Sequence, residues 1–164
     1  MSKKRWVMMG VSGCGKSLVG KRLAENLSVP FLEGDTFHSP QNVAKMRSGV
    51  PLNDADRAGW LASLAEQIRS AADKGEGLVL SCSSLKRRYR DQLRAADPAL
   101  RFAHLSGSRE VIAQRMLARV NHYMPLSLLD SQCAALEPLD DDEAGLILDI
   151  RKEPAQLVEE ILRA

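Results

Sequence analysis

Aromatic residues are scarce in this chain of 164 residues: three Phe, two Trp and two Tyr, 4% in all. The core must therefore be largely aliphatic, and a stacking platform for single-stranded nucleic acid, which needs exposed rings, is excluded. Cysteine is also sparse. Cys14, Cys82 and Cys133 are an odd number at wide spacing with no Cys-x-x-Cys, so neither a disulfide framework nor a zinc site follows from them. Charge of one sign is lacking too, with 23 basic residues against 21 acidic and a net charge of +2. So even a balance sets up no global field for DNA or a membrane surface, and any anionic partner must meet a local basic cluster. Long hydrophobic runs are missing. After Met1-Ser2-Lys3-Lys4-Arg5 the apolar stretch is only Trp6–Met9, whereas a secretory core needs roughly 7–15 apolar residues and a spanning helix about 20. The expectation is one cytoplasmic domain over 1–164, with no nucleic-acid or membrane partner.

What is present alternates between strand and helix patterns. Strands are expected at Arg5–Met9, Pro30–Glu33, Gly77–Cys82, Arg101–Leu105 and Leu146–Asp149. Helices are expected at Lys16–Leu27, Ser39–Gly49, Asn53–Ala72, Leu85–Ala95, Ser108–Arg119 and Pro154–Arg163. The third strand is apolar on both faces, as a buried parallel strand should be. The pattern gives an α/β fold: a five-stranded parallel sheet with helices on both faces and right-handed crossovers. The acidic run Asp140-Asp141-Asp142-Glu143 reads as a solvated turn.

The strongest motif is Gly10-Val11-Ser12-Gly13-Cys14-Gly15-Lys16-Ser17, which fits G-x-x-x-x-G-K-[ST] between the first strand and the first helix. Glycines let such a loop turn its N–H groups inward around phosphate oxygens, and the helix N-terminus adds partial positive charge. Lys16 would reach the β- and γ-phosphates, and the Ser17 hydroxyl would ligate Mg²⁺. The motif implies a nucleoside triphosphate. A base-reading Asn-Lys-x-Asp of the GTPase kind is absent, and the third strand ends Leu80-Ser81-Cys82-Ser83-Ser84 without the acid of a motor ATPase. The candidate acid is Asp35, at the carboxyl end of the second strand, which in open α/β sheets faces the ligand crevice. Cys14, inside the loop and beside Lys16, is expected to have some thiolate character and to be reactive, because positive potential favours the charged form.

Further blocks carry a resemblance: Gly34-Asp35-x-x-His38, Asn42-x-x-Lys45-Met46, Pro51-Leu52-Asn53-Asp54-x-Asp56-Arg57-x-x-Trp60-Leu61, Cys82-Ser83-x-Leu85-Lys86-x-x-Tyr89-Arg90-Asp91, and His122 through Met124-Pro125-x-Ser127-Leu128-Leu129-x-Ser131-Gln132 to Leu136-Glu137-Pro138. Over nearly its whole length the chain resembles the gluconate kinases of the shikimate-kinase-like group. The resemblance implies a P-loop kinase fold with a mobile lid from about 119 to 138. It further implies ATP and Mg²⁺ as cofactors, D-gluconate as acceptor, 6-phosphogluconate and ADP as products, and a tendency to form a homodimer that no apolar stripe here marks.

Under that resemblance Lys16, Asp35 and Arg119 are the candidate catalytic residues. Asp35 orients or deprotonates the acceptor hydroxyl and is also a candidate Mg²⁺ contact through water. Arg115 and Arg119, four apart on one helical face, join the loop residues in binding ATP. His38, Lys45, Lys86, Arg90 and Gln132 join Asp35 in binding substrate, since a polyol carboxylate needs cations and hydrogen-bonding groups. From composition alone the basic residues of 86–90 read as the exposed side of a helix; the resemblance moves Lys86 and Arg90 to the site and leaves Arg87 and Arg88 on the surface. His38 could instead cap the following helix, and Trp60 reads as core packing. Val120-Asn121 departs from the family pattern, where a basic residue and glycine are common, and Cys133 replaces a usual aromatic. The alternatives are a kinase for another small acid such as shikimate, and an ATP-sensing module without catalysis.

Overall fold

The structure is a computed structural model that describes residues 4–118 and 126–164. Five parallel strands, β1 (Arg5–Met9), β2 (Phe31–Glu33), β3 (Leu78–Ser81), β4 (Arg101–Ser106) and β5 (Gly145–Asp149), form one sheet in the order β2-β3-β1-β4-β5. The helices are α1 (Lys16–Leu27), α2 (Pro40–Arg47), α3 (Asp54–Asp73), α4 (Arg87–Arg94), α5 (Arg109–Ala118), α6 (Ser127–Ala135) and α7 (Pro154–Arg163). The expected elements are present with ends shifted by one or two residues. The sequence did not mark α6, or the 3-10 turn Gly34–Phe37 that follows β2.

Side-chain alternation along the strands builds two cores. Trp6 and Met8 of β1, Val79 of β3, and Ala103 and Leu105 of β4 face one side, where they pack with Val19 and Leu23 of α1, Ile112 of α5 and Leu157 and Ile161 of α7. Val7 and Met9, Leu78 and Leu80, and Phe102 face the other, against Leu61, Leu64 and Ile68 of α3 and Leu93 of α4. Every residue of β3 is buried, as its unbroken apolar run requires. Helix starts follow their caps. Ser39 Oγ accepts from Asn42 N at 3.1 Å ahead of Pro40. Asn53 and Asp56 form a reciprocal capping box at α3. Among the described residues no helix is long and apolar enough to cross a membrane.

Asp140, Asp141 and Asp142 are exposed, with a turn at Asp141-Asp142, as expected of the acidic run, but Glu143 is buried. Glu143 is enclosed and binds Arg90 at 2.7 and 3.0 Å and Arg94 at 2.6 Å, while Asp140 and Asp142 hold Arg87 at 2.8 and 2.7 Å. Burial alone would raise the Glu143 carboxyl; its hydrogen bonds from Arg90, the Asp140 backbone and Arg94 outweigh that and hold it at about 2.

His104 of β4, 2% exposed, lies on the Phe102 side, and its Nδ1 has no partner among the described residues. Burial first, and the Arg90 charge second, push its pKa down to about 4. A lowered histidine pKa contributes stability that is complete above the unfolded value of 6.5 and is lost as pH falls towards 4. The shift corresponds to roughly 3 kcal/mol. Thermal melts between pH 7 and 4 should therefore show a decline that flattens in His104→Leu, whatever that variant's stability at neutral pH. Parallel slopes in the two proteins would show that His104 is not the titrating group.

Candidate active site

The phosphate loop leaves the carboxyl end of β1, the central strand, and enters α1 at Gly15, whose φ of 101° is a conformation that suits glycine. Lys16 Nζ donates to the carbonyls of Gly10 and Val11, each at 3.0 Å, and so lies across the loop it is expected to serve. The Ser17 hydroxyl donates to Glu33, whose other oxygen accepts from Ser81 Oγ at 2.5 Å. Glu33, the last residue of β2, went unmarked in the sequence. A serine hydroxyl beside carboxylates is a hard oxygen set. It fits Mg²⁺, which takes one or two carboxylates from the protein and its remaining ligands from water and phosphate.

Asp35 is set by the glycine before it. Gly34 N donates to Ser81 Oγ at 3.0 Å, and Gly34 O accepts from Trp60 Nε1 at 2.8 Å. A Cβ on Gly34 would fall 2.0 Å from the Ser81 carbonyl oxygen, so only glycine lets β2 turn this close to β3. The 3-10 turn then carries Asp35 to the boundary between two cavities.

The first cavity runs along the phosphate loop from Ser12 to Ser17 and continues past Arg115, Ile150, Lys152 and Pro154. The second is lined by His38, Arg57, Trp60, Ser83, Ser131 and Gln132, with apolar walls from Met46, Leu52 and Leu128. Ser12, Lys16 and Asp35 line both. The lysine of the glycine-rich loop and a carboxylate thus stand where the two spaces meet. That is the arrangement needed to pass a phosphoryl group from one occupant to the other.

His38 stacks on Trp60 with ring centroids 4.1 Å apart. Trp60 is therefore both core and cavity wall. Burial lowers the His38 pKa most; Asp35 pulls it back up and Arg57 lowers it again, leaving the ring below its usual 6.5 and neutral at physiological pH. Nδ1 faces Asn42 Nδ2 at 3.4 Å; where it accepts there, Nε2 carries the proton. Gln132 Oε1 accepts from Ser12 N at 2.6 Å and so joins α6 to the phosphate loop. Arg115 lines the nucleotide side and donates to the Ile150 carbonyl at 2.6 Å. Arg119 and His122 lie outside the described residues.

Three expected substrate residues are not among those lining the acceptor cavity. Lys45 is held by both oxygens of Asp56, at 3.0 and 2.9 Å. Lys86 sits at the start of α4 with Nζ 5.9 Å from the Tyr89 ring centre. Arg90 is fully enclosed, with its guanidinium on Glu143. The arginine that does line the cavity is Arg57, which donates to the Leu52 carbonyl at 2.8 Å and the Tyr89 hydroxyl at 3.2 Å. It stands three residues before Trp60 in α3, and positions three apart share a helical face.

Cys14 also departs from expectation. It is 1% exposed and belongs to the core, with its Sγ packed against Gly10. Cys82 is equally buried, and burial pushes its thiol up to about 11. Cys133 is the most accessible of the three, although burial and Asp130 raise it as well. Brief treatment of the folded protein with iodoacetamide should label Cys133 first and leave Cys14 unmodified; early label on Cys14 in peptide mapping would show that the loop opens readily.

Comparisons with known proteins follow the same lines. Residues 6–139 match the family model described as an AAA domain. The chain is 47% identical over 157 residues to the gluconokinase of Gluconobacter oxydans, covering 96% of this chain and 88% of that one. A gluconokinase from Sinorhizobium meliloti superposes with a TM-score of 0.89 at 44% identity, covering 99% of this chain and 91% of the other. An unliganded sugar kinase from a Janibacter species does so with a TM-score of 0.94 at 48% identity, covering 98% and 93%. A full-length relationship at this identity, on a sheet that carries the phosphate loop and an acceptor cavity at its carboxyl edge, places the chain in the gluconokinase family.

Proposed function

We propose that the protein transfers the γ-phosphoryl group of ATP to the C6 hydroxyl of D-gluconate, giving 6-phospho-D-gluconate and ADP. The observation that carries this reading is the pair of cavities joined at Ser12, Lys16 and Asp35. D-gluconate carries a carboxylate at one end and a primary hydroxyl at the other. Arg57 lines the acceptor cavity alone, whereas Lys16 and Asp35 stand at its junction with the nucleotide. The carboxylate then binds Arg57 through charge-assisted hydrogen bonds, and the C6 hydroxyl meets Asp35. Neutral His38, together with Ser83, Ser131 and Gln132, serves the hydroxyls between.

In the transfer, the C6 oxygen forms a bond to Pγ, the bond from Pγ to the bridging oxygen breaks, and ADP leaves with that electron pair. The C6 proton passes to the Asp35 carboxylate. Lys16 leaves the Gly10 and Val11 carbonyls for the β- and γ-phosphate oxygens, where the loop amides and the N-terminus of α1 add positive potential. Ser17, with Glu33 and Asp35 through water, would hold Mg²⁺, which neutralises phosphate charge when bound. Arg115 belongs to the nucleotide site, and Arg119 is assigned to the same phosphates. The use of ATP as donor supports a cytoplasmic location.

A coupled ADP-release assay over a panel of sugar acids tests the reading. Turnover should be fastest on D-gluconate and should depend on Mg²⁺. Turnover on shikimate or a nucleoside monophosphate with none on gluconate would overturn it.

A further inference from the structure

Arg90 was expected to touch substrate, and its geometry assigns it another task. Its guanidinium is wholly buried and grips three separate stretches of chain. Nε and Nη2 bind the two oxygens of Glu143 at 2.7 and 3.0 Å, Nη1 donates to the Ser84 carbonyl at 2.8 Å, and Nη2 reaches the Pro138 carbonyl at 3.3 Å. Two of those stretches lead to walls of the acceptor cavity. Ser84 holds a φ of 47°, a left-handed conformation that costs a serine energy and persists only where its surroundings impose it. Its neighbour Ser83 lines the cavity and accepts from Gly10 N of the phosphate loop at 3.2 Å. Pro138 follows α6, which supplies Leu128, Ser131 and Gln132 to the same cavity. A parallel tie reinforces the joint: Glu137 N donates to the Leu85 carbonyl at 2.6 Å, and Glu137 Oε1 accepts from Arg87 N at 2.9 Å.

We propose that the Arg90–Glu143 pair is a positioning device for phosphoryl transfer: it pins the Ser83–Ser84 turn and the end of α6 to one another, and so sets the acceptor cavity in register with the phosphate loop. Arg90 touches no reacting atom. Its contribution is alignment of the acceptor hydroxyl with Pγ, a quantity to which transfer rates respond steeply. The planar fork of arginine suits the task because one rigid group can hold a carboxylate and two carbonyls at once, which a lysine ammonium on a flexible stem cannot. The proposal rests on the kinase reading above and not on the identity of the acceptor.

Two variants test it. Arg90→Lys keeps a charge for Glu143 and loses the fork. The double variant Arg90→Met with Glu143→Leu removes both charges of the pair, a replacement that buried ion pairs often tolerate without loss of folding, leaves Arg94 its ion pair with Asp91, and leaves the carbonyls unpinned. Each is compared with the parent on whichever acceptor the parent turns over fastest, so that an error in the acceptor assignment leaves the comparison intact. Both should melt cooperatively and bind ATP as the parent does. Both should lose at least about tenfold in kcat, and both should release more ADP than phosphorylated product, because a misaligned acceptor lets water compete. Should Arg90→Lys fail to fold, the double variant decides. A folded variant with parental kcat and one ADP per product would overturn the proposal and leave Arg90 a purely stabilising residue.

Discussion

Asp35→Asn should reduce kcat about a thousandfold while leaving the Kd for ATP within about threefold, because the shape is kept and only the charge and proton acceptor are lost. The size of the expected effect follows from position. Asp35 stands at the junction of the two cavities on a turn that Ser81 and Trp60 hold through both polar groups of the Gly34 backbone. A carboxylate held this firmly where the two cavities meet is expected to act in the transition state more than in nucleotide binding. Turnover within a few-fold of the parent would make Asp35 a structural residue and move the search for a base to Glu33.

Arg57→Met should raise the KM for gluconate by roughly 100-fold, the upper part of the range for a charge-assisted hydrogen bond. The preference for gluconate over a neutral polyol of the same length should collapse with it. ATP binding should be unchanged, since Arg57 lines the acceptor cavity and not the nucleotide cavity. Arg57→Lys is the informative partner: it preserves charge and loses the fork, and should recover only part of the affinity. A gluconate KM within about threefold of the parent in Arg57→Met would place the carboxylate elsewhere, with Lys45 and Lys86 next to be tested.

The contrast between Asp35 and Arg57 shows what the sequence could reveal. Asp35 was legible because the rule that finds it is local: a strand, a glycine and an acid at the carboxyl end. The phosphate loop, the alternation of strands and helices and the caps at Ser39 and Asn53 are local in the same sense. The basic residues are not. Lys45 is taken up by Asp56, 11 residues away, and Arg90 by Glu143, 53 residues away. A long charged side chain goes where its partner is, and only the folded topology fixes the partner. The same long-range pairing turned the acidic run into an anchor for α4. Cys14 illustrates a different gap. Its neighbours in sequence predict a positive setting, but the sharp turn at Gly13 and Gly15 rotates its side chain under the loop and into the core. Helix α6 went unmarked because it lies within the span read as a lid, although Leu128, Leu129 and Gln132 carry its helical spacing.

The central claim is that the carboxylate end of gluconate lies at Arg57 and the C6 hydroxyl at Asp35. The most direct measurement is the position of the phosphoryl group in the product, read by phosphorus-to-proton correlation in NMR after turnover with ATP and D-gluconate. The account predicts a single phosphate ester coupled to the two protons of C6. An ester on any other carbon, or ATP consumption with no ester at all, would contradict it.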